Sequence, residues 1–288
     1  MKKKTAVVFV FLFAFLSVVF VGCARTNGTD DSADERSSEI VNSDEAENAA
    51  ETGSDEPEEK DGEESGEEAE KGGTEFILYI RSKTDGLNVR TGAGTSYKSL
   101  GTLDKGDMAA YFGEKNGWYE TRYLGKTAYV SASEAFTEKV AMKKGEEKTE
   151  RVIEEGFNLL GTKYVYGAVR LHDGTGRPNR GFDVTAFDCS SLMQYIFYYG
   201  ADEILQVNTR TQVGQGKSVE KAALERGDLL FFTNASRYYK TGTERIGHVA
   251  LYLGDGYILH TASDHAVAEK ISDKRWSYYI CARRIISE

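Results

Sequence analysis

Residues 187–200 read FDCSSLMQYIFYYG, and residues 248–262 read HVALYLGDGYILHTA. In the first stretch Asp188, Ser190 and Ser191 favour the start of a helix, while Leu192, Met193, Ile196 and Phe197 recur at helical spacing as one apolar stripe. Counting back places Cys189 on that stripe, in the first turn. A thiol there meets the positive end of the helix dipole, which favours thiolate. The stripe needs a sheet to pack on, so the sulfur is expected to point at whatever that sheet presents. In the second stretch two strand-like runs flank Gly254-Asp255-Gly256, a hairpin signal. A three-residue loop pairs 253 with 257 and 250 with 260, setting His248 and His260 on one face as diagonal neighbours. A two-residue loop puts His248 on the opposite face.

Working outward, RGDLLFF (226–232) and YYICARRII (278–286) read as further strands. Between Lys144 and Leu160, apolar Val152, Ile153, Phe157 and Leu160 keep helical spacing, ended by Gly161. Upstream, residues 75–137 break into short alternating runs between glycine turns, which predicts a small all-β barrel or sandwich with Leu87, Val89 and Trp118 in its core. The expected class is α+β: a cysteine-bearing helix packed on an antiparallel sheet, preceded by that small β module.

A helix-start cysteine with two histidines on one sheet face is what nucleophilic thiol catalysis requires. One imidazole takes the thiol proton and a third group orients that imidazole. A zinc site built from Cys189, His248 and His260 is the competing reading, although close-spaced ligand pairs and a fourth ligand are not evident; no metal or other cofactor is expected. Cys281 sits mid-strand between Ile280 and Ala282 and reads as a packing thiol, since a Cys189–Cys281 disulfide would destroy the site. His172 and His265 receive no role.

The chain has 288 residues, 46 acidic and 36 basic, for a formal net charge of −10. Residues 24–74 hold 19 of the acids against four bases, whereas residues 75–288 hold 27 acids and 29 bases. The acidity therefore belongs to a segment too poor in apolar residues to fold, read as an extended linker. The overall sign argues against a nucleic-acid partner. At the N-terminus Lys2, Lys3 and Lys4 precede the apolar run Ala6–Val21, then Gly22 and Cys23. This resembles a bacterial lipoprotein signal, in which the cysteine is lipidated, although Phe20 stands where an aliphatic residue is usual. An uncleaved anchor is the alternative. Both readings put the rest of the chain on the extracytoplasmic face of the cell membrane.

Two family resemblances rest on these residues. The run LNVRTGAGTSYKSLGTL with NGWYETRYLGKTAYV resembles the bacterial SH3 domain, which in its family binds peptidoglycan or borders the cleft of an attached peptidase. FDCSS, the GDLLFF strand and HVALYLGDGYILHTA, from about Glu147 to the C-terminus, resemble the NlpC-type, papain-like cysteine peptidases of bacterial cell-wall peptides. The resemblance implies Cys189 as nucleophile, His248 as base and His260 as third polar member. It implies that Tyr164 lines the active site and that Asp188 and Ser190 hold the amino terminus of free-ended stem peptides. The amides at the helix start would form the oxyanion hole. Departures are Ser191 where relatives usually carry glycine, a longer segment over 167–186, and Val207-Asn208-Thr209 in place of a Pro-Arg-Ser-type run.

The expected organisation is a lipoprotein signal (1–23), an acidic linker (24–74), an SH3-like domain (75–137) and a peptidase domain (138–288). The expected protein is a monomeric cell-wall cysteine endopeptidase acting on peptidoglycan stem peptides. From the resemblance, the bond would join D-glutamate, through its γ-carboxyl, to a diamino acid. The alternatives are a catalytically inactive peptidoglycan-binding lipoprotein, or an amidase or transpeptidase using the same triad.

Overall fold

The computed structural model describes residues 75–262 and 264–286. The signal-like segment, Cys23 and the acidic stretch lie outside the described residues. Among the described residues no helix is long and apolar enough to cross a membrane.

The short alternating runs become eight strands: β1 (Phe76–Ser82), β2 (Leu87–Arg90), β3 (Ser99–Leu103), β4 (Met108–Ala110), β5 (Gly113–Lys115), β6 (Trp118–Tyr123), β7 (Lys126–Ser131) and β8 (Thr137–Lys143). They form a three-stranded sheet, β4-β1-β8, and a five-stranded one, β3-β2-β7-β6-β5. Leu87 and Val89 are buried as expected. Trp118 is not: in β6 the inward face is Tyr119, Thr121 and Tyr123, which leaves Trp118 half-buried on the other face. β8 pairs with β1 along its whole length, from Ser82↔Thr137 to Phe76↔Lys143. The module therefore ends at Lys143, beyond the boundary at 137 drawn from sequence, because its last strand has to return to its first.

Downstream come α1 (Glu147–Asn158), β9 (Lys163–Tyr164), β10 (Ala186–Phe187), α2 (Cys189–Ala201), α3 (Thr209–Gln212), β11 (Lys217–Val219), β12 (Leu229–Phe232), β13 (His248–Gly254), β14 (Tyr257–Ala262), β15 (His265–Lys270), α4 (Asp273–Ser277) and β16 (Tyr279–Arg284). The strands make one sheet in the order β10-β9-β15-β14-β13-β12-β16-β11, antiparallel except for the β9–β10 pair. The predicted stripe Leu192, Met193, Ile196 and Phe197 is fully buried. α1 and α2 cross at Gly200, where a Cβ would stand 2.5 Å from the Val152 backbone. The class is α+β, as expected.

The β module and the C-terminal domain share one hydrophobic core. Tyr79 of β1 stacks on Phe157 of α1 with ring centroids 4.7 Å apart. Arg226 donates to both oxygens of Glu150, at 2.6 and 2.9 Å, to the Leu253 carbonyl at 2.6 Å, and to the Tyr79 hydroxyl. The β6–β7 turn is held by the end of α1: Leu124 N–H donates to the Leu160 carbonyl at 2.8 Å and Gly125 N–H to that of Asn158 at 2.7 Å. Those bonds over-determine a turn in which Leu124 takes φ 53°, a region costly for a branched side chain.

Candidate active site

The β13–β14 hairpin resolves the sequence ambiguity in a third way. The loop has two residues, Asp255 and Gly256, at φ 50° and 78°, and Gly254 pairs with Tyr257. A register shift between Tyr252 and Gly254 then sets Tyr252 opposite Ile258 and Leu251 opposite Leu259. One bulged residue thus restores the alignment a three-residue loop would have produced. His248 and His260 lie on one face, with His248 Nε2 2.8 Å from His260 Nδ1.

The chain of contacts continues into a residue the sequence reading missed. His260 Nε2 lies 2.9 Å from Glu269 Oε1, and Arg275 of α4 stands 3.7 Å from the same oxygen. On β15, Val267 is directly opposite His260, so Glu269 is its diagonal neighbour, just as His248 is across β13. The diagonal rule applied to the second hairpin would have found it. Burial works to raise the Glu269 carboxyl, but the His260 hydrogen bond and the Arg275 charge outweigh it and hold the group below its usual range. An ionised Glu269 accepts from His260 Nε2–H, which leaves Nδ1 of His260 as an acceptor. His248 must then donate from Nε2, so its Nδ1 carries the lone pair. One carboxylate thereby selects both tautomers and presents His248 as a base. Burial pushes His248 well below 6.5, with further contributions from His260 and Arg275, and burial also lowers His260 despite Glu269. Both rings are neutral at pH 7.

Cys189 opens α2 where predicted. Asp188 is the N-cap: its Oδ1 accepts from Ser191 N–H at 2.8 Å, while Ser191 Oγ accepts from Asp188 N–H at 2.8 Å. This reciprocal capping box explains a serine at 191. The sulfur is buried among the amides of Val249, Ser190 and Cys189 itself, so the start of α2 abuts β13 one residue from His248. Among the described residues no hydrogen bond joins the sulfur to the His248 ring. The expected stabilisation of thiolate does not carry. Burial, aided by the Asp188 carboxylate, pushes the thiol up to about 12 against those three amides, because removal from water outweighs the helix-end dipole. The resting pair is a neutral thiol and a neutral imidazole.

Tyr164 pairs with Phe187 across β9 and β10, and burial raises its phenol, helped by Cys189 and Asp188 beside it. Asp188 and Ser190 also lie at the site, but their polar groups are taken by the protein. Ser190 Oγ donates to Asp188 Oδ1 at 2.8 Å, and Arg170 Nη2 donates to Asp188 Oδ2 at 2.9 Å. Arg170 belongs to the long 167–186 segment, which is fastened by His172: its backbone N–H donates to Gln194 Oε1 and its ring Nδ1 accepts from Gly174 N–H. Cys281 is a free, half-buried thiol on β16, and Cys189 is also free. Among the described residues no three His, Cys, Asp or Glu side chains are grouped as metal ligands. A cleft of about 1400 Å³ lined by Lys144, Glu147, Arg226, Asp228, Asp255 and Arg284, among others, contains none of these site residues.

The chain is similar to a peptidoglycan DL-endopeptidase of Bacillus licheniformis, with 32% identity over 44% of this chain and 25% of the relative. It is similar to a gamma-DL-glutamyl hydrolase of Bacillus subtilis, 33% identical over 52% of this chain and 33% of that protein. A gamma-D-glutamyl-L-lysine dipeptidyl-peptidase of the same species is 30% identical over 61% of this chain and 52% of its own length. The chain therefore spans between a quarter and about half of these relatives. Residues 85–135 match the bacterial SH3 domain and residues 161–284 match the NlpC/P60 family. The tyrosine, cysteine and two histidines, with the strands and helix that bring them together, all fall inside the second match: the chain carries an NlpC/P60 domain behind a bacterial SH3 domain.

Proposed function

We propose that this protein is a cysteine endopeptidase that hydrolyses peptidoglycan stem peptides at the bond between γ-D-glutamate and a diamino acid. The observation that carries the reading is the His248–His260–Glu269 chain, which leaves a lone pair on His248 beside the strand residue whose amide faces the Cys189 sulfur. The names of the similar Bacillus proteins support the bond assignment.

In this reading His248 Nδ1 takes the Cys189 proton as the sulfur attacks the amide carbon. The amides of Cys189 and Ser190 receive the negative charge that develops on oxygen. The protonated His248 then gives its proton to the departing amine, leaving a thioester on Cys189. Water attacks the thioester while His248 takes its proton; the carboxylic acid leaves and the thiol regains its hydrogen. His260 and Glu269 hold the ring throughout. The protein would act at the outer face of the membrane, anchored by a lipid on Cys23, with residues 24–74 as a spacer.

Purified protein incubated with peptidoglycan should release fragments whose masses place the cut after γ-D-glutamate, and Cys189→Ala should release none while keeping the wild-type circular dichroism spectrum. Equal release by both would overturn the mechanism in favour of a wall-binding protein. Fragments cut at another bond would assign an amidase or transpeptidase instead.

A further inference from the structure

Asp188 is adjacent to the nucleophile, and an open carboxylate there would attract a cationic group on the substrate. It is not open. Its Oδ1 accepts from Ser190 Oγ at 2.8 Å and from Ser191 N–H at 2.8 Å. Its Oδ2 accepts from Arg170 Nη2 at 2.9 Å and from Gly167 N–H at 3.3 Å. Four donors fill the positions a carboxylate offers, and the side chain is only 6% exposed.

Arg170 is itself held in place. Its Nε donates to the Val207 carbonyl, its Nη1 to the Ala168 carbonyl at 3.0 Å, and its Nη2 reaches Ser190 Oγ at 3.4 Å. A substrate ammonium could reach Asp188 only by displacing a guanidinium fixed at both ends, and would otherwise stand beside a like charge. A neutral group meets neither obstacle.

Resting on the peptidase reading above, we infer that Arg170 fixes the substrate class of this site. The protein acts on stem peptides whose amino end is uncharged because it is still acylated, as in stems attached to the glycan strand, and does not select free-ended peptides. The intramolecular cation occupies the place that a peptide ammonium would take, so recognition of a free amino terminus is absent from this cleft.

The test uses the full chain and two synthetic stem tetrapeptides, L-Ala-γ-D-Glu-L-Lys-D-Ala and its Nα-acetyl form, each repeated with meso-diaminopimelate. Wild type should cleave the acetylated peptide with kcat/KM at least equal to that of the free one. Arg170→Gln, which uncovers the Asp188 charge, should raise the free-to-acetylated ratio by about tenfold or more, the scale of one charge-assisted hydrogen bond. Asp188→Asn keeps the capping acceptor and should lower cleavage of both peptides equally. A wild-type preference of tenfold for the free peptide would overturn the inference. So would a ratio unmoved by Arg170→Gln, or a selective loss of free-peptide cleavage in Asp188→Asn. Cleavage of neither peptide by wild type would defeat the peptidase reading and this inference with it, whereas cleavage of both with the opposite preference defeats this inference alone.

Discussion

In the β module the buried polar side chains are Ser82, Asp107, Thr121 and Thr137, and three of them bind backbone close by in the chain. Ser82 Oγ donates to the Thr84 carbonyl at 2.7 Å, Asp107 Oδ2 accepts from Asp104 N–H at 2.8 Å, and Thr137 Oγ1 donates to the Ser131 carbonyl at 2.7 Å. In the NlpC/P60 domain the corresponding groups include Asp188, Ser190, Ser191 and His260, and these gather around the first turn of α2 and the histidines of the sheet. Two regions that share a core thus use buried polarity differently. The module closes its own turns, whereas the domain assembles groups from distant parts of the chain around one thiol. Sequence separation alone does not mark a site, since Arg226 and Glu150 pair across 76 residues at the seam; the gathering of several buried polar groups around one thiol does.

The sharpest way to break that comparison is to remove one buried polar group from each region. His248→Ala should lower kcat for stem-peptide cleavage by about 10²–10⁴-fold, the usual worth of a general base, with little change in Tm. Thr137→Val should leave kcat unchanged and cost on the order of 1 kcal/mol of stability by thermal unfolding. An activity loss in the module variant would show that its polar groups serve the site after all. The wild-type pH profile bears on the same point. Burial depresses His248, so kcat/KM should be full at neutral pH and fall only on an acid limb below 6.5. With the Cys189 thiol pushed up to about 12, alkylation by iodoacetamide should be slow at pH 7 and climb towards alkaline pH; a plateau below pH 8 would show a resting ion pair.

The seam between the regions comes next in size. Arg226→Met strands the Glu150 carboxylate, whose side chain is 10% exposed, and should cost about 3–5 kcal/mol. Adding Glu150→Gln should recover much of the lost Tm, because the uncompensated charge is then gone. No recovery would mean that the methionine disturbs packing around Tyr79 instead.

Glu269→Gln should reduce kcat by about 10–100-fold, in the range seen when a group orienting a ligand histidine is lost, because a neutral amide does not impose one tautomer on His260. Glu269→Asp should restore part of the rate if carboxylate charge is what matters; no restoration by Asp would point to shape.

The last effect is a pH-dependent one in the module. Burial raises Asp107 from 3.8 to about 6, so the folded state holds this proton more tightly than the unfolded chain does. Stability from this group therefore falls as pH rises through the window from 3.8 to 6. Asp107→Asn should raise stability at pH 7–8 by on the order of 1–3 kcal/mol, and the gain should vanish below pH 4. A gain that persists at pH 3 would assign the effect to packing.

Much of this was legible in residue order. The helix-start signal at Asp188, the stripe from Leu192 to Phe197, the strand runs and the glycine turn between the histidines all express short-range rules, in which backbone preference and apolar period act within one element. Trp118 shows where such rules stop: alternation located β6 but not which of its faces the core would take. The thiol shows a second limit, since a dipole is readable from position in a helix while burial depends on everything packed around it.

By itself the sequence determined the small β module, the two longer helices and four strands of the larger sheet, and singled out the cysteine and two histidines, but not β15, which carries Glu269. Tertiary structure alone decided that a bulge between Tyr252 and Gly254 returns His248 to the face of His260, that Glu269 completes the chain, that Arg170 covers Asp188, and that Arg226 ties the regions together through Glu150 and Tyr79. Local preference acts over a few residues and is written in their order. Ion pairs between positions 18 and 76 apart and the desolvation of a thiol exist only once the chain has folded and excluded water from between them.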